Sequence, residues 1–203
     1  LYRFEILKLL RWHFHQTVQI WLGEKAEALG VEVFVKREDL AGLCAGGNKA
    51  RLMEFAIGAL RKQGVDTLVA AAPAQSNKLR EIAAAGARCG LHTVLLIPQE
   101  PGVYVPQGNR LLFELLGAEV RIIDGKLDDA GLLAAQEAVQ DELSLAGRQP
   151  VVFDRRLDYG VDATIAYVDA GEELTKQLRR QGILAEYVYL TAGAGMTVAA
   201  SGF

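Results

Sequence analysis

The sequence predicts an α/β fold in which a parallel sheet carries helices on both faces. Apolar, β-branched runs alternate with stretches of helical periodicity through the middle of the chain. Their spacing is typical of strand–helix–strand units. The chain has 203 residues, of which 51% are hydrophobic, so it can bury a substantial core. Right-handed crossovers between parallel strands then place helices on both sides of the sheet.

The elements follow one another in a regular order. The predicted strands are residues 67–72, 92–97, 119–123, 150–153 and 187–190. The predicted helices are residues 76–89, 107–116, 128–146 and 161–180. Ser76 is the expected N-cap of the first of these helices, and Gly90 lies just past its end. We expect a further element after the last strand, and because the sequence ends at Phe203 we expect the fold to be incomplete at its C-terminus.

Composition and charge argue against several classes of function. The net charge is −3, from 22 Lys and Arg against 25 Asp and Glu, and no basic block is present, so nucleic acid is not an expected partner. We expect no signal peptide and no membrane span. Cys44 and Cys89 form no ligand cluster and predict reduced thiols in a cytoplasmic protein. No metal site is expected, because His13 and His15 have no third ligand at a suitable spacing.

The first segment that could carry chemistry is GLCAGGNKARLMEF, at residues 42–55. A loop of small residues leads into a helix, and Lys49 lies at or near the start of that helix. The helix dipole disfavours a cation there and favours the neutral amine that Schiff-base chemistry requires. Glycines in such a loop would let a flat cofactor approach the backbone. An exposed lysine after a flexible turn is the alternative interpretation.

The second segment is PAQSNKLRE, at residues 73–81, between a buried strand and a helix. Backbone N–H groups at a helix start bind anions. Ser76 and Asn77 add polar side chains at the carboxyl end of a strand, where open α/β sheets bind their ligands. The alternative interpretation is a helix N-cap with no further role.

The third segment is YVYLTAGAGMTVAASG, at residues 187–202. The turn formed by Gly193, Ala194, Gly195, Met196 and Thr197 could surround a phosphate with its amides, and Thr197 could add a hydroxyl. The same turn begins a GxGxxxA dinucleotide fingerprint, which leaves a dinucleotide-binding oxidoreductase as an alternative function.

Taken in order, three longer stretches resemble one known family: VFVKREDLAGLCAGGNKARLMEF, TLVAAAPAQSNKLREIAAAGARCGL and QGNRLLFELLGAEVRII. They are similar to the D-cysteine desulfhydrase and 1-aminocyclopropane-1-carboxylate deaminase group. This group belongs to the pyridoxal-phosphate enzymes with the tryptophan synthase β-like fold, also called fold type II. The resemblance runs from about residue 31 to residue 198, and its most specific parts are GGNK-x-R and QSN-x-x-R.

The resemblance implies a role for each matching residue. Lys49 matches the catalytic lysine that forms the aldimine with pyridoxal 5'-phosphate and later moves protons. Asn77 matches the asparagine that hydrogen-bonds the ring oxygen of the cofactor. Gln75, Ser76 and Asn77 match the site of the substrate carboxylate, and Ser76 is also expected to be catalytic. Residues 193–197 match the loop that binds the cofactor phosphate.

The resemblance also implies an architecture and an activity. Residues 1–49 and 161–203 would belong to a large cofactor domain, residues 50–160 would form a smaller inserted α/β domain, and homodimers are usual. The expected activity is a deaminating lyase that converts a small amino acid, such as D-cysteine or 1-aminocyclopropane-1-carboxylate, into a 2-oxo acid and ammonia. A degenerate homologue that binds phosphate or cofactor without turnover is the second possibility.

Overall fold

The computed structural model describes residues 18–21, 24–44, 46–101, 103–125, 128–153 and 161–190. The strands within these ranges are β1 (Val18–Trp21), β2 (Val33–Lys36), β3 (Thr67–Ala71), β4 (His92–Pro98), β5 (Glu119–Ile123) and β6 (Pro150–Val152). The helices are α1 (Glu24–Leu29), α2 (Asn48–Lys62), α3 (Asn77–Cys89), α4 (Asn109–Leu115), α5 (Asp129–Leu145) and α6 (Val161–Gln181), with a short 3-10 helix at Glu38–Leu40. None of the helices in these ranges is both long and apolar enough to cross a membrane.

The central feature is a four-stranded parallel sheet in the order β5-β4-β3-β6. Thr67 at the start of β3 lies opposite His92 of β4 on one side and Pro150 of β6 on the other. β4 continues the sheet to β5, with Val94 opposite Glu119. The predicted parallel sheet is confirmed. Its two central strands are continuous apolar runs because both of their faces are covered.

Side chains of β3 and β4 alternate between two apolar layers, as the pleat requires. One layer packs against α2, α3 and α4, and the other packs against α5. The first layer contains Leu68, Ala70, Leu95 and Ile97 of the strands with Met53, Ile57, Leu79, Ile82 and Phe113 of the helices. The second contains Val69, Ala71, Val94 and Leu96 with Leu132, Ala135, Val139 and Leu143 of α5. Helices therefore cover both faces of the sheet, as predicted.

A second group of elements packs beside this sheet. β1 and β2 form an antiparallel pair, which the sequence analysis does not predict. α6 packs along α2 through a small apolar cluster in which Leu52 and Phe55 meet Ala166 and Tyr167. α2 thus joins the two groups, because one side of it faces the sheet and another faces α6.

Local capping signals explain the helix boundaries well. Ser76 Oγ accepts a hydrogen bond from the backbone N–H of Leu79 at 3.3 Å, and Gly90 ends α3 in the left-handed conformation. Asp128 caps α5 in the same way, accepting from the N–H of Gly131 at 2.8 Å. The predicted caps of α3 are confirmed.

The predicted strand at residues 187–190 is wrong. These residues have no regular secondary structure, and the side chains of Tyr187 and Tyr189 are 76% and 91% exposed. A strand needs a neighbouring strand to pair its backbone groups, and within the described residues none lies beside this segment. The apolar composition of residues 187–190 is therefore not enough to make this segment a strand of the sheet.

Candidate active site

Lys49 is the second residue of α2, close to the position predicted for it. Gly47 is the N-cap, with φ of 116°, and its N–H donates to the carbonyl of Glu38 at 2.9 Å. Gly46 has φ of 64°, and a Cβ at this position would overlap the carbonyl of Asp39. The two glycines therefore let the loop lie directly against residues 38–39, which is a packing reason for glycine at both positions.

Arg51 anchors the start of α2, two residues beyond Lys49. Its side chain is buried and forms a bidentate pair with Glu38, with Nε–Oε2 at 2.8 Å and Nη2–Oε1 at 2.9 Å. Nη1 donates to Glu173 Oε2 of α6 at 3.0 Å, and Glu173 also pairs with Lys36. Burial lowers the pKa of Arg51, but the two carboxylates outweigh it, so the pKa lies above its ordinary value. The guanidinium is therefore a permanent cation that ties the 3-10 helix at Glu38–Leu40, α2 and α6 together.

The second predicted segment surrounds the start of α3. Ser76 is half-buried, while Gln75 and Asn77 are exposed. The first backbone N–H groups of a helix have no partner within it, so this helix start can accept an anion. Ser76 contributes its hydroxyl as the cap, and its predicted position at the carboxyl end of β3 is confirmed.

Asn109, the first residue of α4, holds this segment in place. Its Nδ2 donates to the carbonyl of Gln75 at 2.8 Å and to Asn77 Oδ1 at 2.9 Å. Its backbone N–H donates to Gln75 Oε1 at 3.0 Å. Arg80 also donates to Asn77 Oδ1, at 3.0 Å. The side-chain oxygen Oδ1 of Asn77 thus accepts two hydrogen bonds. Among the described residues, none accepts a hydrogen bond from Nδ2 of Asn77, so its two N–H donors are available to a ligand.

The structure brings the first two predicted segments together. Arg80 Nη2 of α3 donates to the carbonyl of Gly46, at 3.2 Å. Glu81 Oε1, also on α3, lies 3.0 Å from the position that a Cβ of Gly47 would take. Lys49 and the Ser76–Asn77 start of α3 therefore belong to one region, at the carboxyl end of the parallel sheet.

Glu81 is the residue of this region that the sequence analysis misses. Its side chain is 2% exposed, and burial raises the pKa of its carboxyl to about 7, although the charges of Lys49 and Arg80 act in the opposite direction. The sequence does indicate that Glu81 is buried. Glu81 directly precedes Ile82 and a run of small residues, and this composition is typical of a helix that is buried on most sides.

The third predicted segment lies outside the described residues. Gly193, Ala194, Gly195, Met196 and Thr197 all fall there, so their expected contact with a phosphate stays a prediction. Among the residues that are described, no group of three or more His, Cys, Asp or Glu side chains could hold a metal ion. Lys78, next to Asn77, donates to the carbonyl of Phe153 at 3.0 Å.

Known proteins resemble this chain over most of its length. A D-cysteine desulfhydrase from Klebsiella pneumoniae is 32% identical over 179 residues, which cover 86% of this chain and 53% of that protein. A 1-aminocyclopropane-1-carboxylate deaminase from Methylobacterium nodulans is 35% identical over 183 residues, covering 87% and 54%. The solved structure of an ACC deaminase homologue matches 97% of this chain and 59% of its own chain, at a TM-score of 0.77 and 28% identity. The chain spans about half the length of the relatives it matches.

The family model for pyridoxal-phosphate dependent enzymes matches residues 12–203. The match extends through residues 193–199, the segment on which the dinucleotide alternative depends. The sheet and its two helical layers also agree with the tryptophan synthase β-like fold expected from the sequence. Because this match covers nearly the whole chain, the chain belongs to the family of pyridoxal-phosphate dependent enzymes.

Proposed function

We propose that this protein is a deaminating lyase that uses pyridoxal 5'-phosphate to convert a small amino acid into a 2-oxo acid and ammonia. The observation that carries the proposal is the contact of Gly46 and Gly47, directly before the helix that carries Lys49, with Arg80 and Glu81 in the first two turns of α3. An amine for the cofactor aldehyde and an anion-binding helix start then lie in one region. D-cysteine desulfhydrases and ACC deaminases among the relatives support this class of reaction.

The residues present fit the cofactor. A half-buried amine at Lys49 suits the aldehyde, and the Asn77 Nδ2 group has donors for the ring oxygen because its own Oδ1 is engaged by Asn109 and Arg80. Residues 193–197 are proposed to bind the phosphate. When bound, the cofactor supplies an electron-withdrawing ring that stabilises negative charge on the substrate carbon.

The substrate carboxylate is proposed to bind at Gln75, Ser76 and the first N–H groups of α3. Ser76 keeps a hydroxyl proton to donate while its oxygen accepts from Leu79. Asn109 fixes the loop by its three hydrogen bonds to Gln75 and Asn77, so the anion site needs little rearrangement. The Lys49 amine would accept the proton from the substrate carbon.

The substrate is proposed to be an amino acid of the size of D-cysteine or 1-aminocyclopropane-1-carboxylate. The former would lose its thiol from the β-carbon, and the latter would open its strained ring. Both routes end in hydrolysis to a 2-oxo acid and ammonia. Relatives of similar identity are named for each of the two substrates, so we propose both as candidates.

The proposal includes a domain division and an assembly. Residues 50–160, which contain the four-stranded sheet, would form the smaller domain, and residues 1–49 with 161–203 would belong to the cofactor domain. The Arg51 pairs to Glu38 and Glu173 join the two at the start of α2. We further propose a homodimer in the cytoplasm.

The test of the activity is a product assay with a small panel of amino acids. The purified protein is incubated with pyridoxal phosphate and D-cysteine, L-cysteine or 1-aminocyclopropane-1-carboxylate. 2-Oxo acid and ammonia are then measured, with sulfide for the cysteines. We expect equal amounts of 2-oxo acid and ammonia from one of these substrates and none from Lys49→Ala. Release at the same rate by Lys49→Ala, or no release from any substrate, would overturn the proposal.

A further inference from the structure

Arg80, the arginine of the QSN-x-x-R stretch, lies in the first turn of α3, and its side chain is 13% exposed. Its Nη1 donates to Asn77 Oδ1 at 3.0 Å. Its Nη2 donates to the carbonyl of Gly46 at 3.2 Å and to Glu81 Oε1 at 3.3 Å. One guanidinium therefore contacts both segments of the candidate site, the loop before Lys49 and the start of α3.

Stability alone does not account for this arginine. In the described part of the chain, the Nε–H of Arg80 is buried and has no acceptor, and leaving a donor of a charged group unsatisfied costs free energy. Neutralising Glu81 needs only a positive charge, which a lysine would also supply. The guanidinium adds a fixed geometry, because the two terminal nitrogens of its planar fork hold acceptors on two different segments.

The hydrogen bond to Asn77 determines which way the amide of Asn77 faces. Oδ1 accepts from Arg80 and also from Asn109 Nδ2, at 2.9 Å. A carbonyl oxygen has two lone pairs, so these two donors occupy it, and Nδ2 is directed to the opposite side of the amide. Nδ2 is the group that is proposed to donate to the ring oxygen of the cofactor. Arg80 would therefore act on cofactor binding through Asn77.

The hydrogen bond to Gly46 holds the loop in front of Lys49. The N–H of Gly46 donates to the carbonyl of Leu43 at 2.9 Å and closes a turn that contains Cys44. Gly47, the next residue, is the N-cap of α2, and Lys49 follows two residues later. A shift of the Gly46 carbonyl would therefore move the start of the helix that carries Lys49.

We propose that Arg80 is a positioning residue whose guanidinium fixes the spacing between the Lys49 loop and the Asn77 amide. The inference deepens the proposed function, on which it rests. Because the fork is rigid and planar, a point charge in the same place, such as a lysine ammonium, does not reproduce this spacing.

The loop is tested first, without cofactor, through two cysteines that the chain already carries. Cys44 lies in the turn that Gly46 closes, Cys89 is the last residue of α3, and both are half-buried. The purified protein is treated with N-ethylmaleimide, and the labelling rate of each cysteine is read by peptide mass spectrometry. Cys89 is the internal reference, because a general loosening of the fold raises both rates.

Two variants separate the fork from its charge. Arg80→Met removes the guanidinium, whereas Arg80→Lys keeps a positive charge beside Glu81 and still tests the inference if Arg80→Met does not fold. Arg180→Lys, at an exposed arginine in the last turn of α6, is the matched control. We expect both Arg80 variants to raise the rate of Cys44 relative to Cys89 about fivefold, the effect of losing one ordinary hydrogen bond. A wild-type ratio in either Arg80 variant would overturn the inference.

The contact with Asn77 is tested by the dissociation constant of pyridoxal phosphate, measured by absorption titration. Arg80→Lys should weaken binding about tenfold in the otherwise wild-type protein. In the Asn77→Ala background the same substitution should weaken it less than about threefold, because the amide through which Arg80 acts is gone. No weakening in the first background, or equal weakening in both, would overturn the inference.

The two experiments separate this inference from the proposed function. If pyridoxal phosphate does not bind the wild-type protein, the proposed function fails, while the labelling ratio of Cys44 to Cys89 still tests the Arg80 fork. If pyridoxal phosphate binds and both Arg80 variants behave as the wild type, the inference fails and the proposed function stands.

Discussion

The most quantitative prediction concerns the stability of the protein when Glu81 is replaced by glutamine. In the folded protein burial raises the pKa of this carboxyl to about 7, against 4.5 for an ordinary glutamate. Between these values the folded state binds more protons than the unfolded state, so the contribution of Glu81 to stability is fully present below pH 4.5 and is lost as pH rises to about 7. A glutamine does not titrate and loses nothing over this window.

The size of the effect follows from the width of the window. A shift of one pKa unit corresponds to 1.36 kcal/mol, so between pH 5 and pH 8 the wild-type protein should lose about 2.5 kcal/mol relative to Glu81→Gln. The side chain is almost fully buried, and solvent screening therefore reduces the value little. The neighbouring cations, Lys49 and Arg80, are already included, because their effect on the pKa opposes that of burial.

Urea unfolding followed by far-UV circular dichroism provides the assay. Free energies of unfolding are measured for both proteins at pH 5, 6, 7 and 8, and their difference is plotted against pH. Titration of the other groups cancels in this difference. Glu114→Gln, at a glutamate of α4 whose side chain is 46% exposed, is the matched control for replacing a carboxylate outside the core. A difference between Glu81→Gln and the wild type that stays constant from pH 5 to pH 8 would refute the reasoning.

Three further substitutions, and a glycine control at Gly90, test the surroundings of the site. Arg51→Met leaves two carboxylates without their guanidinium and should lower the free energy of unfolding by about 3 kcal/mol in urea. Gly46→Ala places a methyl group against a backbone carbonyl and should cost about 3 kcal/mol, whereas Gly90→Ala, with open space around it, should cost about 1 kcal/mol. Asn109→Asp replaces the donor to Asn77 by a charged acceptor and should weaken cofactor binding about tenfold in an absorption titration, with a change in stability below about 1 kcal/mol.

Local signals explain why much of the fold could be predicted from the sequence. α3 was predicted almost to the residue, because Ser76 and Gly90 are capping residues with direct physical effects. β3 and β4 are apolar runs that only a sheet covered on both faces can accommodate. The segment at residues 187–190 has a similar composition but no pairing strand among the described residues, and whether a strand finds a partner depends on distant parts of the chain.

In the candidate site, too, local features were predictable from the sequence and tertiary contacts were not. Lys49, Ser76 and Asn77 were identified from motifs and from their positions at helix starts, all of which are local. The pair between Arg51 and Glu173 joins residues 122 positions apart, and no spacing rule indicates it. Glu81 is buried because α2 packs over α3, so its raised pKa is a property of tertiary structure.

The central claim is that Lys49 is the lysine to which the cofactor is attached. Its most direct test is to add pyridoxal phosphate to the purified protein, record the visible absorption, reduce with borohydride and map the labelled peptides. We expect a yellow absorption band and a reduced pyridoxyl group on Lys49, with little on Lys62 or Lys78. No band, or a label spread evenly over the lysines, would contradict the claim.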